Sequence, residues 1–269
     1  MVKQSKNQPL YKYKDKKIYQ ADFVGALEKV GINKGDTIFV HSDVAVFGKP
    51  CTFDWNFLLG SLTNAIKETV GKNGIIIMPA FSYSFCNNED FDVENTKSIV
   101  GVLTEYFWKQ LGVSRTTHPI FSVGIWGKNK ERFLNVGKDC FDDNSIFGKF
   151  HRANGKIVFF GAPFQSLTFL HYIEQKHGIP YRYIKTFKGK IKKGNKIYDD
   201  ECTYLVRYLD KNVVTDLSRL EKHLLNKGLM KEVKIGAGKI LMIKADVLFK
   251  EGCKLLDKNI YFFLKEKPE

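Results

Sequence analysis

No stretch of this sequence is apolar for the ~20 consecutive residues that a helix needs to cross a bilayer. The opening residues, MVKQSKNQPLYKYKDKK, are basic, but they lack an apolar core and a small-residue cleavage site. They do not read as a secretion signal, so the cytoplasm is the expected compartment and no membrane partner is expected. Cysteine pairs are missing too. The five cysteines, Cys51, Cys86, Cys140, Cys202 and Cys253, are scattered, odd in number and free of any C-x-x-C spacing. That argues against a disulfide framework and against a zinc ribbon. Arginine is scarce: six of 43 basic residues, although the formal net charge is +14. Readers of nucleic-acid grooves and phosphates lean on the arginine fork, so no nucleic-acid partner is expected. The lysines are spread along the chain, densest between Lys185 and Lys196. Such an excess raises the local concentration of a small anion, including one with phosphates, and repels a polycation.

Several catalytic signatures are absent as well. The chain contains no Gly-x-Ser-x-Gly nucleophile elbow and no phosphate-binding P-loop. Gly236-x-Gly238 precedes a strand pattern rather than a helix, so it is not a dinucleotide fingerprint. His171, Glu174 and His177 stand at i, i+3 and i+6, which fan around a helix unlike the i, i+4 histidine pair of zinc proteases. No metal is expected.

What is present is enough apolar residue, 43% over 269 positions, to bury a sizeable core. Strand and helix patterns alternate up to Gly178, which predicts an α/β fold, a mixed sheet flanked by helices with some parallel pairing. Beyond Pro180 the texture changes. Residues 181–191 and 196–208 read as strands about a Lys-Lys-Gly-Asn turn, residues 216–227 as a helix, and 232–235 with 240–243 as a hairpin. A closing helix over 245–256 completes a β-rich C-terminal portion. With no repeat and no low-complexity linker, residues 1–19 read as a polar arm and 20–269 as one domain.

The centre of the chain is Ser166 to Arg182, SLTFLHYIEQKHGIPYR. It follows a strand-like run, Lys156 to Gly161, and predicts a short helix. Ser166 or Thr168 can cap its start, Gly178 can end it in the left-handed conformation, and Pro180 forbids continuation. His171 and Glu174 share one face of it. A histidine near the start of a helix after a buried strand is well placed as a base, although a structural histidine is the competing account.

Three other polar clusters sit next to strands. His41-Ser42-Asp43 closes a strand that begins at Asp36, where ligands of open sheets gather; a turn stabilised by Ser42 and Asp43 is the alternative. Residues 80–85, AFSYSF, suit a wall holding a sugar or base, or core aromatics under a lid. Arg115-Thr116-Thr117-His118 before Pro119 offers guanidinium, hydroxyl and imidazole donors to a phosphate; a loop bonded to itself is the alternative. Residues 87–94 read as surface loop, 98–111 as a helix capped by Ser98, 120–126 as a strand, and 140–152 as mostly loop.

In this order, Phe39-Val-His-Ser42, Met78-Pro-Ala-Phe-Ser82, Arg115-Thr-Thr-His-Pro119 with Ser122, and Thr168-Phe-Leu-His171-Tyr-Ile-Glu174 resemble the aminoglycoside 3-N-acetyltransferase superfamily. The resemblance extends from about Gly31 to Lys250. It implies transfer of an acyl group from coenzyme A to an amino group on a sugar ring, with acetyl-CoA or a short-chain hydroxyacyl-CoA as co-substrate. By carry-over, His171 would be the base, and Glu174 would orient it or hold the ammonium. His41, Ser42, Arg115, Thr116, His118 and Ser122 would lie along the coenzyme A site, with the Thr168 hydroxyl near the oxyanion. Ala80 and Thr116 stand where the family often has Thr and Ser. Phe81-Ser-Tyr-Ser-Phe85 and Tyr181-Arg-Tyr-Ile-Lys185 resemble members that acylate nucleotide-linked amino sugars, such as a dTDP-3-amino-3,6-dideoxyhexose. Tyr83, Tyr181, Arg182 and Lys185 would then contact the substrate. An antibiotic-modifying acetyltransferase is the alternative, and a homodimer is left open.

Overall fold

The computed structural model describes residues 8–269. Residues 1–7 of the expected arm lie outside that range. The rest of it is not loose: β1 (Tyr11–Tyr13) and β2 (Lys16–Ile18) form a hairpin. The reason is Tyr11, which is fully buried and donates its hydroxyl to the Val44 carbonyl at 2.8 Å. Helix α1 (Gln20–Val30) stops at Gly31, whose φ of 103° suits a residue without Cβ. Strand β3 (Thr37–Ser42) follows, then a 3₁₀ turn at Val44–Phe47 and the two-residue β4 (Lys49–Pro50). Helix α2 (Trp55–Val70) is capped by Asp54, which accepts from the Phe57 amide at 3.0 Å.

After β5 (Ile75–Pro79) the segment expected as surface loop is partly internal. Phe91 is fully buried, and β6 (Phe91–Asp92) pairs with a later strand. Helix α3 (Val102–Trp108) is shorter than expected. Ser98 accepts from the Val100 amide at 3.3 Å instead of capping it, and Gly101 precedes the first turn. Strands β7 (Ser114–Arg115) and β8 (Val123–Gly127) flank the Pro119 loop, so the expected strand over 120–126 starts three residues late. Helix α4 (Glu131–Leu134) is a single turn, whereas α5 (Ile146–Arg152) is a true helix inside the expected loop, capped by Ser145 accepting from Gly148 at 3.1 Å.

Then come β9 (Lys156–Phe160), α6 (Leu170–His177) and the long hairpin of β10 (Arg182–Lys193) and β11 (Lys196–Arg207). Helix α7 (Ser218–Asn226), the hairpin β12 (Lys231–Ile235) and β13 (Gly238–Lys244), and α8 (Ala245–Lys258) finish the chain. Among the described residues, no helix is long and apolar enough to cross a membrane.

The main sheet has seven strands in the order β12-β13-β9-β3-β5-β8-β7. The three at its centre, β9, β3 and β5, run parallel, and the outer ones are antiparallel. This is the mixed α/β architecture expected. Side chains alternate along each central strand. Ile38, Val40, Ile76, Met78 and Val158 face a core built with α1, α2 and α3. Phe39, Ile77, Ile157 and Phe159 face a second core with α5, α6 and α8. Burying a phenylalanine such as Phe159 is worth about 1.5–3 kcal/mol. His41 is on that second face, its ring 5.2 Å from Phe39 and 5.4 Å from Phe159. The carboxyl ends of the three parallel strands therefore lie beside the start of α6.

Candidate active site

Two short turns set the site. At Gly161 φ is 79°, and a Cβ there would sit 2.1 Å from the Asp43 carbonyl oxygen. Only glycine lets the end of β9 pass so close to the chain leaving β3. The chain then makes a 3₁₀ turn, Phe164–Ser166, before α6 begins at Leu170. Ser166 and Thr168 do not cap α6. Their hydroxyls donate backwards, to the Pro163 carbonyl at 2.7 Å and the Ser166 carbonyl at 3.4 Å. Gly178, with φ 80°, ends the helix as expected.

On α6, His171 Nδ1 lies 2.6 Å from Glu174 Oε2. Glu174 is completely buried, whereas the His171 side chain keeps 19% of its surface exposed and meets Phe141 edge-on at 5.4 Å. Tyr181 donates its hydroxyl to Glu174 Oε1 at 2.9 Å. Arg182 Nε is 3.0 Å from Oε2, an ion pair set off the line that a hydrogen bond requires. Burial pushes the Glu174 carboxyl up, but His171, Arg182 and the Tyr181 hydroxyl outweigh it and hold the group below its ordinary range. An ionised carboxylate only accepts, so Nδ1 carries the imidazole proton and Nε2 is the basic atom. No described residue bonds to Nε2. Both carboxylate oxygens of Glu174 are thus engaged within the protein, one by His171 and one by Tyr181. Tyr181 itself is 3% exposed and spent on Glu174, which removes it from the expected substrate contacts.

Two spaces are lined by residues just before and just after α6 in the chain. The first, about 290 Å³, is lined by His41, Ser42, Tyr83, Ser166 and Thr168 among others, and shares Ser42, Asp43, Val100 and Ser166 with a neighbouring cavity of about 630 Å³. His41 Nε2 and Ser42 Oγ are buried without a hydrogen-bond partner. Burial alone lowers the His41 pKa to about 3, so the ring is neutral. Asp43, in contrast, is a turn residue, accepting from the Ala45 amide at 3.1 Å. The second space, about 630 Å³, is lined by Tyr83, Arg182, Lys185, Tyr204 and Arg207 among others, and by no Asp or Glu. His171 lines neither. Thr168, three residues before it, faces the first space, and Arg182, across Glu174, faces the second.

The structure does not bring the Arg115 cluster to these spaces. Arg115 donates to Ser122 Oγ at 3.1 Å, to the Ala80 carbonyl at 2.8 Å and to the Thr96 carbonyl, and stacks over Phe91 and Trp108. Thr116 accepts from the Val123 amide at 3.0 Å, and Ser122 donates to Ala80 at 2.7 Å. His118 Nδ1 accepts from the Ile120 and Phe121 amides at 3.2 and 3.1 Å; burial lowers its pKa to about 4. None of Arg115, Thr116, His118 and Ser122, expected along the coenzyme, lines either space; their polar atoms stitch β7, β8 and the Ala80 loop together. The sequence reading missed Arg207, Tyr204 and the Val100–Gly101 wall. Counting back from the Gly194–Asn195 turn would have found two of them, since the hairpin register sets Arg207 opposite Arg182 and Tyr204 opposite Lys185.

The structure thus offers a helix-borne histidine backed by a buried carboxylate, near the carboxyl ends of the parallel strands, where ligands of open sheets gather. Among the described residues no group of three or more His, Cys, Asp or Glu could hold a metal ion. The profile of the aminoglycoside 3-N-acetyltransferase family matches residues 39–257, and the chain belongs to that family. It is 26% identical over 183 residues to the SPbeta prophage-derived aminoglycoside N(3')-acetyltransferase-like protein YokD of Bacillus subtilis, covering 59% of this chain and 64% of YokD. It is 25% identical over 191 residues to aminoglycoside N(3)-acetyltransferase IV of a Salmonella species, covering 68% of this chain and 70% of that protein. The chain thus spans a little under two thirds of the first relative's length and a little over two thirds of the second's. The fold is also that of AAC-IIIb, solved as a binary complex with CoASH, with a TM-score of 0.75 at 23% identity over 93% of this chain and 98% of that one.

Proposed function

We propose that this protein transfers an acyl group from acyl-CoA to an amino group on a sugar ring, with His171 as the base. The observation that carries this reading is the His171–Glu174 pair, Nδ1 locked to a buried carboxylate and Nε2 without a partner among the described residues. The amine attacks the thioester carbonyl as a C–N bond forms. His171 Nε2 takes the proton that the nitrogen gives up, and Glu174 steadies the resulting imidazolium through Nδ1–H. The tetrahedral oxyanion then collapses with loss of the coenzyme thiolate. The buried, unpartnered groups facing the first cleft, neutral His41 and the Ser42 hydroxyl, suit the amide and thioester carbonyls of an acyl-pantetheine arm. The family and the named relatives favour an aminoglycoside as the acceptor and acetyl-CoA as the donor.

A second reading of the acceptor rests on charge. Arg182, Lys185 and Arg207 line the second cleft, with Tyr83 and Tyr204 as walls and no carboxylate among its lining residues. A polycationic antibiotic gains nothing from that lining, while a nucleotide-linked amino sugar offers phosphates to it and a base to the aromatic rings. The test is a thiol-release assay with acetyl-CoA against a panel of aminoglycosides and nucleotide-linked amino sugars. Turnover of either group identifies the acceptor class, and a blank across both contradicts acyl transfer to amino sugars.

A further inference from the structure

Glu174 presents a problem that its own helix does not solve. A carboxyl with no solvent exposure favours its neutral form. A neutral imidazole, the form His171 needs before it can accept a proton, supplies a hydrogen bond but no net charge. The full positive charge in contact with Glu174 in that state is Arg182, Nε to Oε2 at 3.0 Å, itself only 6% exposed. Its far nitrogen, Nη2, is fixed by Thr215 Oγ1 at 3.1 Å. The other carboxylate oxygen is held by Tyr181 at 2.9 Å. Both oxygens are therefore occupied before any substrate arrives, by two consecutive residues, Tyr181 and Arg182, where the chain enters β10.

We infer that Arg182 and Tyr181 are positioning residues of the base: they fix the Glu174 carboxylate, so that it in turn holds the His171 ring by Nδ1 in one orientation. This builds on the acyl-transfer reading for its consequence, though not for its test. With the Arg182 charge removed, the carboxylate is uncompensated and the His171–Glu174 pair keeps its extra proton to higher pH. The retained proton disables the base whichever partner carries it. The other ionisable groups around α6 are already engaged. Asp139 accepts from Thr203 and Gln175, Asp143 pairs with Lys176, and Asp257 on α8 pairs with His177. On α5, His151 faces Asp246, and Asp142 accepts from the Asn144 and Ser145 amides. On β11, Arg207 lies opposite Arg182 in register and Tyr204 lines the acceptor cleft.

The experiment compares the wild type with Arg182→Gln, Arg182→Lys and Tyr181→Phe in the full chain. The imidazole of His171 is titrated by ¹⁵N-resolved NMR without substrates, and kcat and KM are measured across pH 6–9.5. Arg182→Gln is expected to move the imidazole titration and the acid limb of kcat toward higher pH. The loss of turnover at pH 6.5 then exceeds that at pH 9 by about tenfold or more, the ratio given by one unit of displacement. Arg182→Lys keeps the charge and restores most of the profile, while Tyr181→Phe shifts it in the same direction by less. An unmoved titration in Arg182→Gln overturns the inference. So does a loss equal at every pH, or a rise confined to the KM of the acceptor, which would make Arg182 a substrate contact. Because the NMR titration needs no turnover, it decides the question even if the panel of amino sugars proves blank.

Discussion

The His41 ring lies nearly parallel to that of Phe159, centroids 5.4 Å apart and planes 18° from coplanar. An imidazole sandwiched in this way sheds its proton, and burial takes its pKa down to about 3, as burial takes His118 to about 4. Unfolded, both rings bind protons from about pH 6.5. The unfolded chain therefore binds more protons below that pH, and stability falls as pH drops from about 6.5 toward 4. Thermal unfolding followed by circular dichroism should show Tm decreasing across that window. In a His118→Gln variant, whatever its starting stability, the slope should be shallower.

Breaking the carboxylate from the other side has a different signature. Glu174→Ala leaves Arg182 buried beside a cavity with no counter-charge, and loss of one partner of a buried pair costs about 3–5 kcal/mol. Urea unfolding should report that loss. Glu174→Gln keeps the shape and should lose less stability, while turnover still falls because the imidazolium has lost its charged partner.

Arg115 should behave as a strut. Its donors end on Ser122, Ala80 and Thr96, so Arg115→Ala should lower Tm and leave the KM for acyl-CoA unchanged in the protein that remains folded. A large rise in that KM with an unaltered Tm would put Arg115 back in the coenzyme site.

Gly161→Ala is expected to be disproportionately damaging for one methyl group. It forces an L-residue to φ 79° and drives a Cβ to within 2.1 Å of the Asp43 carbonyl. Left-handed strain alone costs about 1–3 kcal/mol, and relief of the clash must move the turn that sets the start of α6. The measurements are urea unfolding and kcat, and both should fall.

The acceptor cleft carries its own test. Lys185→Glu and Arg207→Glu reverse its charge, which should weaken binding of a phosphate-bearing amino sugar and improve that of a polycation by about tenfold or more in kcat/KM. Equal effects on both substrate types would show that the cleft does not select by charge.

How much of this was legible in the sequence depended on the range of the interactions. The end of α6 at Gly178 was readable because a left-handed glycine acts within a few residues. The alternating strands and the His171–Glu174 spacing were readable for the same reason. Arg115-Thr-Thr-His shows the limit: a guanidinium, two hydroxyls and an imidazole in a row look alike whether they meet a phosphate or the Ala80 and Thr96 carbonyls and the Ser122 hydroxyl. Their partners lie 7 to 35 residues away, beyond any local pattern. Tyr181 was placed against the substrate for a similar cause: nothing local shows that its hydroxyl returns to the buried side of α6. Ser166 and Thr168 have cap chemistry, but the 3₁₀ turn claims their hydroxyls first.

The central claim, that His171 Nε2 accepts the amine proton, is tested most directly by the single-turnover rate of acyl transfer in His171→Ala. The comparison is with the wild type at saturating acyl-CoA and acceptor, near neutral pH, with binding of both substrates checked by calorimetry. The account predicts intact binding and a rate lower by about 10²–10⁴-fold, partly restored by added imidazole. A variant that binds both substrates and transfers the acyl group within a few-fold of the wild-type rate would contradict it.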